Sequence, residues 1–493
     1  MTETRNNQSY TVLILLLLSF AAIVVHGYHP FSEDAEIYLP GVEKILHSDL
    51  FPTGQEFFAS HAQLTLFPNL VAFSLLVTRL PLEIGLLVWH AASVFLFLAA
   101  CWQATGAMFS STRARWGGVI LIAALLTIPV AGTALYILDQ YLNPRNLTAF
   151  AAVFAVTATL EKKYLRGTAW LLFAALMHPL MAAFAFSLCF LLVLLDRLPL
   201  MRLQVPSTGA LCLLPFGISL APQTSEAYHQ AAMQHGFHYI QRWAWYEILG
   251  AVAPAVLLWW VAAIAPKLGW PNLAKLCRAL VIYNLVYLAA ALIVDFPARF
   301  EALARLQPLR CLHLLYVLMF VALGGLLTEF VLKNKLWRWL VLFMPLCAGM
   351  FAAQRTLFPN SAHVELPGET PRNDWAKAFR WVRDNTPVDA VFALDPQYMK
   401  LPGEDMIGFR CLAQRSRLAD AVKDSGAVSM FPPLAEDWWA QMQAQTPWKN
   451  LQAEDFAQLK KQYAVTWVVV QQPGVAGLDC AYQNQAVRVC RIK

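Results

Sequence analysis

Apolar runs joined by short polar or basic segments fill the chain as far as Phe351, and a different pattern follows. A helix needs about 20 predominantly apolar residues to span a bilayer, with about 17 as the working minimum. Runs of this kind lie at Tyr10–Val25, Leu82–Trp102, Gly117–Leu138, Asn146–Leu160, Thr168–Met177 and Leu180–Leu195. Others lie at Ser207–Leu220, Ile248–Ala265, Ala279–Val294, Cys311–Leu332 and Leu336–Phe351. Thr168–Met177 and Leu180–Leu195 are short and meet at His178-Pro179, where proline suits a tight external turn or a broken helix. The run Leu64–Leu80 is interrupted by Pro68 and Asn69 and ends at Arg79-Leu80-Pro81.

Basic residues decide how to treat that interrupted run, because cytoplasmic loops of membrane proteins are enriched in Lys and Arg. If Leu64–Leu80 lies on the outer face without crossing, the basic loops all fall inside together with Arg5. Those loops hold Arg113/Arg115, Lys162/Lys163/Arg166, Arg197/Arg202, Lys267/Lys275/Arg278 and Lys333/Lys335/Arg338. If it crosses, every cluster moves outside. The expected fold is therefore a polytopic α-helical membrane protein of about eleven spans, N-terminus inside and C-terminus outside. The first external loop, His26–Gln63, is long, and a membrane-surface helix follows it. The first helix could also serve as a secretory signal, but His26-Gly27-Tyr28-His29-Pro30 lacks a small-x-small cleavage pattern, so it reads as an uncleaved span.

Beyond residue 352 the spacing becomes that of a soluble α/β domain, expected over residues 353–493. Asn373 or Asp374 caps a helix to Asn385 with Trp375, Phe379 and Val382 on one face, and Thr386-Pro387 stops it. Asp389–Leu394 and Ala464–Val470 read as strands, Pro433–Gln445 and Ala453–Tyr463 as helices, and Ala486–Ile492 as a last strand. No phosphate loop or dinucleotide fingerprint is present. No internal repeat is visible, which disfavours the common inverted-repeat transporters.

Composition supports this division. Hydrophobic residues make up 58% of 493 and charged residues 14%, where soluble proteins carry about 25% charged. No basic stripe with interleaved aromatics appears, so nucleic-acid binding has no support. Nine cysteines show no metal-ligand spacing. Cys480 and Cys490 lie in the polar tail and can close a hairpin through a disulfide if that tail is extracytoplasmic, with Cys411 as a third candidate partner.

Candidate chemistry concentrates at the outer ends of the helices. The segment Phe31–Pro40 carries Glu33, Asp34 and Glu36 directly after the first span. In a helical turn Glu33 and Glu36 share a face and Asp34 points elsewhere. One carboxylate can then take a proton while another holds Mg²⁺ or Mn²⁺, and a solvated acidic loop is the plain alternative. Arg145, Arg242, Arg299, Arg305 and Arg310 are external cations suited to an anionic group at the interface, or to snorkelling. Arg310, at the head of an apolar helix, is the strongest of them. His178 is either a packed turn residue or a donor to a phosphate or hydroxyl. His229, His235 and His238 form at most a weak zinc pattern. Asp295 can pair with Arg299 at i+4.

In these features the chain resembles the GT-C superfamily of membrane glycosyltransferases and, more narrowly, a bacterial multi-pass family of that clan. The likeness rests on Glu33-Asp34 in the first external loop, the surface helix after it and the extracytoplasmic α/β tail. The stretches Ser32–Pro40, Leu138–Arg145, His178-Pro179, Leu306–Arg310 and Gly408–Asp420 also carry it. The resemblance implies a polyprenyl-phosphate sugar donor and an inverting transfer on the outer side of a bacterial inner membrane. Asp34 (or Glu33) would be the base, Asp139 with Glu36 would hold an optional metal, and Arg310, Arg145 and Arg305 would face the lipid phosphate. The first loop lacks the Asp-Glu-x-x-Tyr style sequence of better-known members, so no acceptor is implied. A transporter or flippase, or an inactive scaffold, is the alternative. A transporter calls for ionisable residues within the spans, where His90 and His313 are the main ones.

Overall fold

The computed structural model describes residues 2–197, 224–295 and 298–493. Among these, seven helices are long and apolar enough to cross a membrane. They are Ser9–His26, Leu82–Met108, Pro179–Arg197, Trp245–Leu268, Pro271–Asp295, Leu303–Leu332 and Leu336–Leu357. Leu336, Val341 and Met344 on the last of these point outward and stay exposed, as lipid-facing side chains do. The expected count of about eleven included four further runs. Ser207–Leu220 lies outside the described residues. Asn146–Leu160 forms the helix Pro144–Leu160, buried almost throughout, and Thr168–Met177 forms the short helix Tyr164–Met177.

The fourth run corrects the sequence reading. Gly117–Leu138 is not one span: its helix covers only Thr112–Ala124. Pro129 disfavours helix at the residue before it, and the chain folds into a tight loop with Val130 N–H donating to Leu135 O at 2.8 Å. Ala131 and Ala134 take positive φ in that loop. The helix itself is fixed by close packing at Gly117, where a Cβ would meet Gly324 O at 2.6 Å. The loop then carries Tyr136, Asp139 and Tyr141 into the interior instead of across a membrane.

The interrupted run Leu64–Leu80 falls in a sharply bent pair of helices. Helix Glu56–Gln63 meets helix Phe67–Thr78 at 87°. The second has 12 residues, or roughly 18 Å, well short of a bilayer core of about 30 Å. Arg79 closes it in the left-handed conformation.

The tail builds a sheet of five strands: β1 (Val391–Leu394), β2 (Ser416–Arg417), β3 (Trp467–Gln471), β4 (Asp479–Gln483) and β5 (Val487–Arg491). Their order is β2-β1-β3-β5-β4; β1 pairs parallel with β2 and β3, and β5 antiparallel with β3 and β4. Three strands and the helices Asp374–Asn385, Ala435–Ala444 and Ala453–Tyr463 fall where the pattern put them. Asn373 caps the first of these helices by accepting from Ala376 N. A disulfide joins Cys480 to Cys490 across β4 and β5, while Cys411 is free and buried.

The tail is bound by backbone to the loop that follows the first long helix. Ser32 pairs with Ile407, Glu33 N–H donates to Met406 O at 2.9 Å, and Gly408 N–H donates to Phe31 O at 2.8 Å. One continuous hydrophobic core runs from the helices into the tail.

Candidate functional site

The local path of the chain sets the site. Glu33 sits at φ 57°, a left-handed turn that places it outside the helix Ala35–Leu46 beginning just after Asp34. Glu33 and Asp34 therefore project together, and both meet the ammonium of Lys423, at 3.0 and 2.7 Å. Glu36 follows two residues later, about 200° further round the helix, and faces the other way. The expected sharing of a face by Glu33 and Glu36 is thus reversed.

Asp34, Glu33, Asp139, Arg145, His178 and Arg310 all line one cavity of about 710 Å³. Arg145 is its organiser, donating from Nη1 to Asp34 at 2.6 Å and from Nη2 to Asp139 at 2.8 Å. Nε also reaches Asp139 at 3.3 Å, so most of the guanidinium is committed to carboxylates. Local sequence explains its position: Asn143 accepts from Asn146 N at 3.1 Å to cap the helix, and Pro144 opens it. Asn143 also donates to Asp139 at 2.6 Å.

Burial disfavours charge on Asp34, but Lys423 and Arg145 outweigh it and hold its carboxyl well below the usual range. Asp34 is a carboxylate at neutral pH. Burial opposes charge on Lys423 as well, yet Asp34 and Glu33 hold its ammonium above the ordinary value. Burial, then Arg145 and Arg310, lower His178 to about 3. Its Nδ1 accepts from Met181 N at 3.4 Å, which leaves the proton of the neutral ring on Nε2 as a donor.

Arg310 lines the same cavity but is held differently. Among the described residues no carboxylate forms an ion pair with it, and its Nε is buried without a partner. Gln307 Oε1 and His238 Nε2, from buried side chains lining the same cavity, are likewise unpartnered. Unsatisfied buried polar atoms are costly and mark where a ligand or water belongs. The other proposed cations differ. Arg305 and Arg242 are exposed and line no part of the cavity, and the Arg299 side chain lies outside the described residues. Asp295 accepts instead from Ile240 N at 2.5 Å.

Glu36 and Asp139, the expected cation ligands, do not line the same cavity. Glu36 is excluded from the cavity because both its oxygens are taken by the tail: Oε2 accepts from Arg410 N at 2.7 Å and Oε1 from Arg417 Nε at 2.9 Å. The carboxylates that do reach the cavity are matched by Arg145 and Lys423. Among the described residues, no group of three or more His, Cys, Asp or Glu side chains is placed to hold a metal ion. His229 pairs with Glu301 at 2.7 Å, while His235 and His238 turn into the cavity. His313, one of the two in-span histidines, donates to Ile137 O at 2.9 Å and is a satisfied core residue.

Several cavity residues carry no local signal in the sequence: Lys423 and Lys400 from the tail, Tyr136, Tyr141 and His61. The segments Ser32–Pro40, Leu138–Arg145, His178-Pro179 and Leu306–Arg310 supply cavity residues, and Gly408–Asp420 supplies the arginines that hold Glu36. The chain matches no protein-family model and no curated protein sequence.

Proposed function

We propose that this protein is a membrane glycosyltransferase that moves a sugar from a polyprenyl-phosphate donor to an acceptor hydroxyl on the outer face of a bacterial inner membrane. The observation that carries this reading is the pairing, in one cavity at the helix ends, of an ionised carboxylate at Asp34 with an unpaired guanidinium at Arg310. The cavity is walled by Leu64, Met177 and Leu180 on one side, an apolar surface suited to the first isoprene units of a lipid. The Cys480–Cys490 disulfide and the basic inner loops both agree with an extracytoplasmic tail.

In this reading Arg310 holds the donor phosphate through its planar pair of donors. His178 Nε2–H and Tyr136 orient the sugar or acceptor hydroxyls. The acceptor oxygen attacks the anomeric carbon opposite the phosphate, and the carbon–oxygen bond to phosphate breaks with its electron pair leaving on the lipid phosphate. The hydroxyl proton passes to Asp34. The cations that keep Asp34 ionised also make it a weak base, so proton transfer falls late, after the sugar carbon has gained cationic character. Arg145 fixes Asp34 in position from its far oxygen.

Purified protein in lipid, supplied with polyprenyl-phosphate sugars and compared with Asp34→Asn, tests this. Transfer or donor hydrolysis lost in the variant, with lipid phosphate still bound, is the expected result. No binding or turnover of any such donor by the wild type would sink the proposal in favour of transport or scaffolding.

A further inference from the structure

Lys423 is contributed by a segment far away in the chain, yet it reaches the carboxylates of the first external loop. Its ammonium carries three N–H donors. Two are spent on Glu33 and Asp34, and Lys423 lines the cavity with one donor in hand. Arg145, by contrast, has committed Nε, Nη1 and Nη2 to carboxylates.

The position of Lys423 is fixed by a second group of charges behind it. Its backbone N–H donates to Asp420 Oδ1 at 2.6 Å, and Asp424 N–H donates to the same oxygen at 3.0 Å. Arg417 clamps Asp420, and Arg410 grips Asp424 with two bonds of 2.8 and 2.9 Å. Both arginines also pair with Glu36, which follows Asp34 by two residues. The result is a closed circuit that leaves the first loop at Asp34, crosses to the tail by the Lys423 ion pair, passes through the Lys423 backbone to Asp420 and Arg417, and returns through Glu36.

We infer that Lys423 is a second anion ligand of the cavity, acting with Arg310 on one phosphate group, and that the Glu36–Arg410–Arg417 ring is what delivers it. The tail is then a wall of the binding site. The inference rests on the phosphate-binding part of the reading above and is independent of sugar transfer. A phosphate oxygen takes the third N–H of Lys423 while the other two stay on Glu33 and Asp34, so the base and the donor phosphate are held by one side chain. Glu36 is a positioning residue, acting only through Lys423.

The test uses full-length protein in lipid nanodiscs with two probes, a long-chain polyprenyl phosphate in the bilayer and inorganic phosphate in the buffer. Lys423→Gln is expected to weaken binding about tenfold or more, the usual weight of a hydrogen bond to a charged group. Lys423→Arg should recover most of it. Glu36→Gln should weaken binding in the wild-type background and add nothing in the Lys423→Gln background, because the two act in series. Loss confined to the polyprenyl phosphate identifies a lipid headgroup as the ligand, and loss of inorganic phosphate binding as well identifies the phosphate group itself. Either result supports the inference. Wild-type binding retained in Lys423→Gln overturns it, as do additive effects of the two substitutions. Should Glu36→Gln fail to fold, Lys423→Gln against Lys423→Arg decides the matter alone. Wild-type protein that binds neither probe removes both this inference and the phosphate reading; binding without sugar transfer removes only glycosyl transfer.

Discussion

Two groups of buried charge lie on opposite sides of the turn that begins at Glu33, and they differ in what they leave unspent. Behind the turn, Glu36, Arg410, Arg417, Asp420 and Asp424 are sealed, with no side chain more than 2% exposed. Their hydrogen bonds are made to one another or to backbone N–H and C=O groups. In front of it, Glu33, Asp34, Asp139, Arg145 and Lys423 face a cavity in which Arg310, Gln307 and His238 still have unpartnered atoms. The same residue types make a structural joint in one place and a candidate site in the other. Residual hydrogen-bonding capacity toward a space, and not buried charge itself, distinguishes them.

The two carboxylates that face these groups shift in opposite directions. Burial pushes Glu36 up, with Arg417 and Arg410 opposing it incompletely, whereas Lys423 and Arg145 overcome burial at Asp34 and push it down.

The largest effect expected is on turnover. Asp34→Asn should lower transfer by about a hundredfold or more, the weight of a general base, while its circular dichroism stays unchanged. A variant that keeps wild-type turnover would reduce the cavity cluster to a second structural joint. Next comes the sealed group. Arg410→Met removes both bonds to Asp424 and leaves Arg417 as the one arginine facing three buried carboxylates, and should cost about 3–5 kcal/mol, read as a lowered thermal midpoint with faster proteolysis of the tail. An unchanged midpoint would mean that the ring does not hold the tail.

Arg310→Gln should weaken polyprenyl-phosphate binding about tenfold, since one charge-assisted contact is lost, while Arg305→Gln should leave it within about twofold. Equal losses would point to diffuse attraction by the outer surface.

The smallest effect separates the groups by pH. The pairing of Asp34 contributes stability that is present above its unfolded value of 3.8 and is lost as pH falls through its depressed folded value. Glu36, with a raised folded value, subtracts stability as pH rises above its unfolded value of 4.5. Thermal midpoints followed from pH 3 upward should therefore lose some acid sensitivity in Asp34→Asn and some of the alkaline-side loss in Glu36→Gln. Identical profiles for the two variants would mean that the groups titrate as one.

Much of this was legible along the chain. Apolar run length marked the seven helices long enough to span a membrane. Residues 373–385 announced their helix through Asn373 and the spacing of Trp375, Phe379 and Val382. Arg310 stood out because charge at the head of an apolar helix is costly without a use; Asp34 stood out in its acidic segment, Arg145 as one of several cations at helix ends, and Asp139 only through the family resemblance. These properties are local, and a sequence states them directly.

Tertiary structure decided the rest. Gly117–Leu138 has the length of a span, but Pro129 and close packing at Gly117 turn its second half into a loop that carries Asp139 inward. Glu33 projects with Asp34 and not with Glu36 because one positive φ took it off the helix. Lys423 lies 389 positions from Asp34, and nothing in its own neighbourhood marks it. Periodicity reports which face of an element avoids water. Which charges meet there is set by how distant elements pack, because an ion pair between remote residues has no period to read.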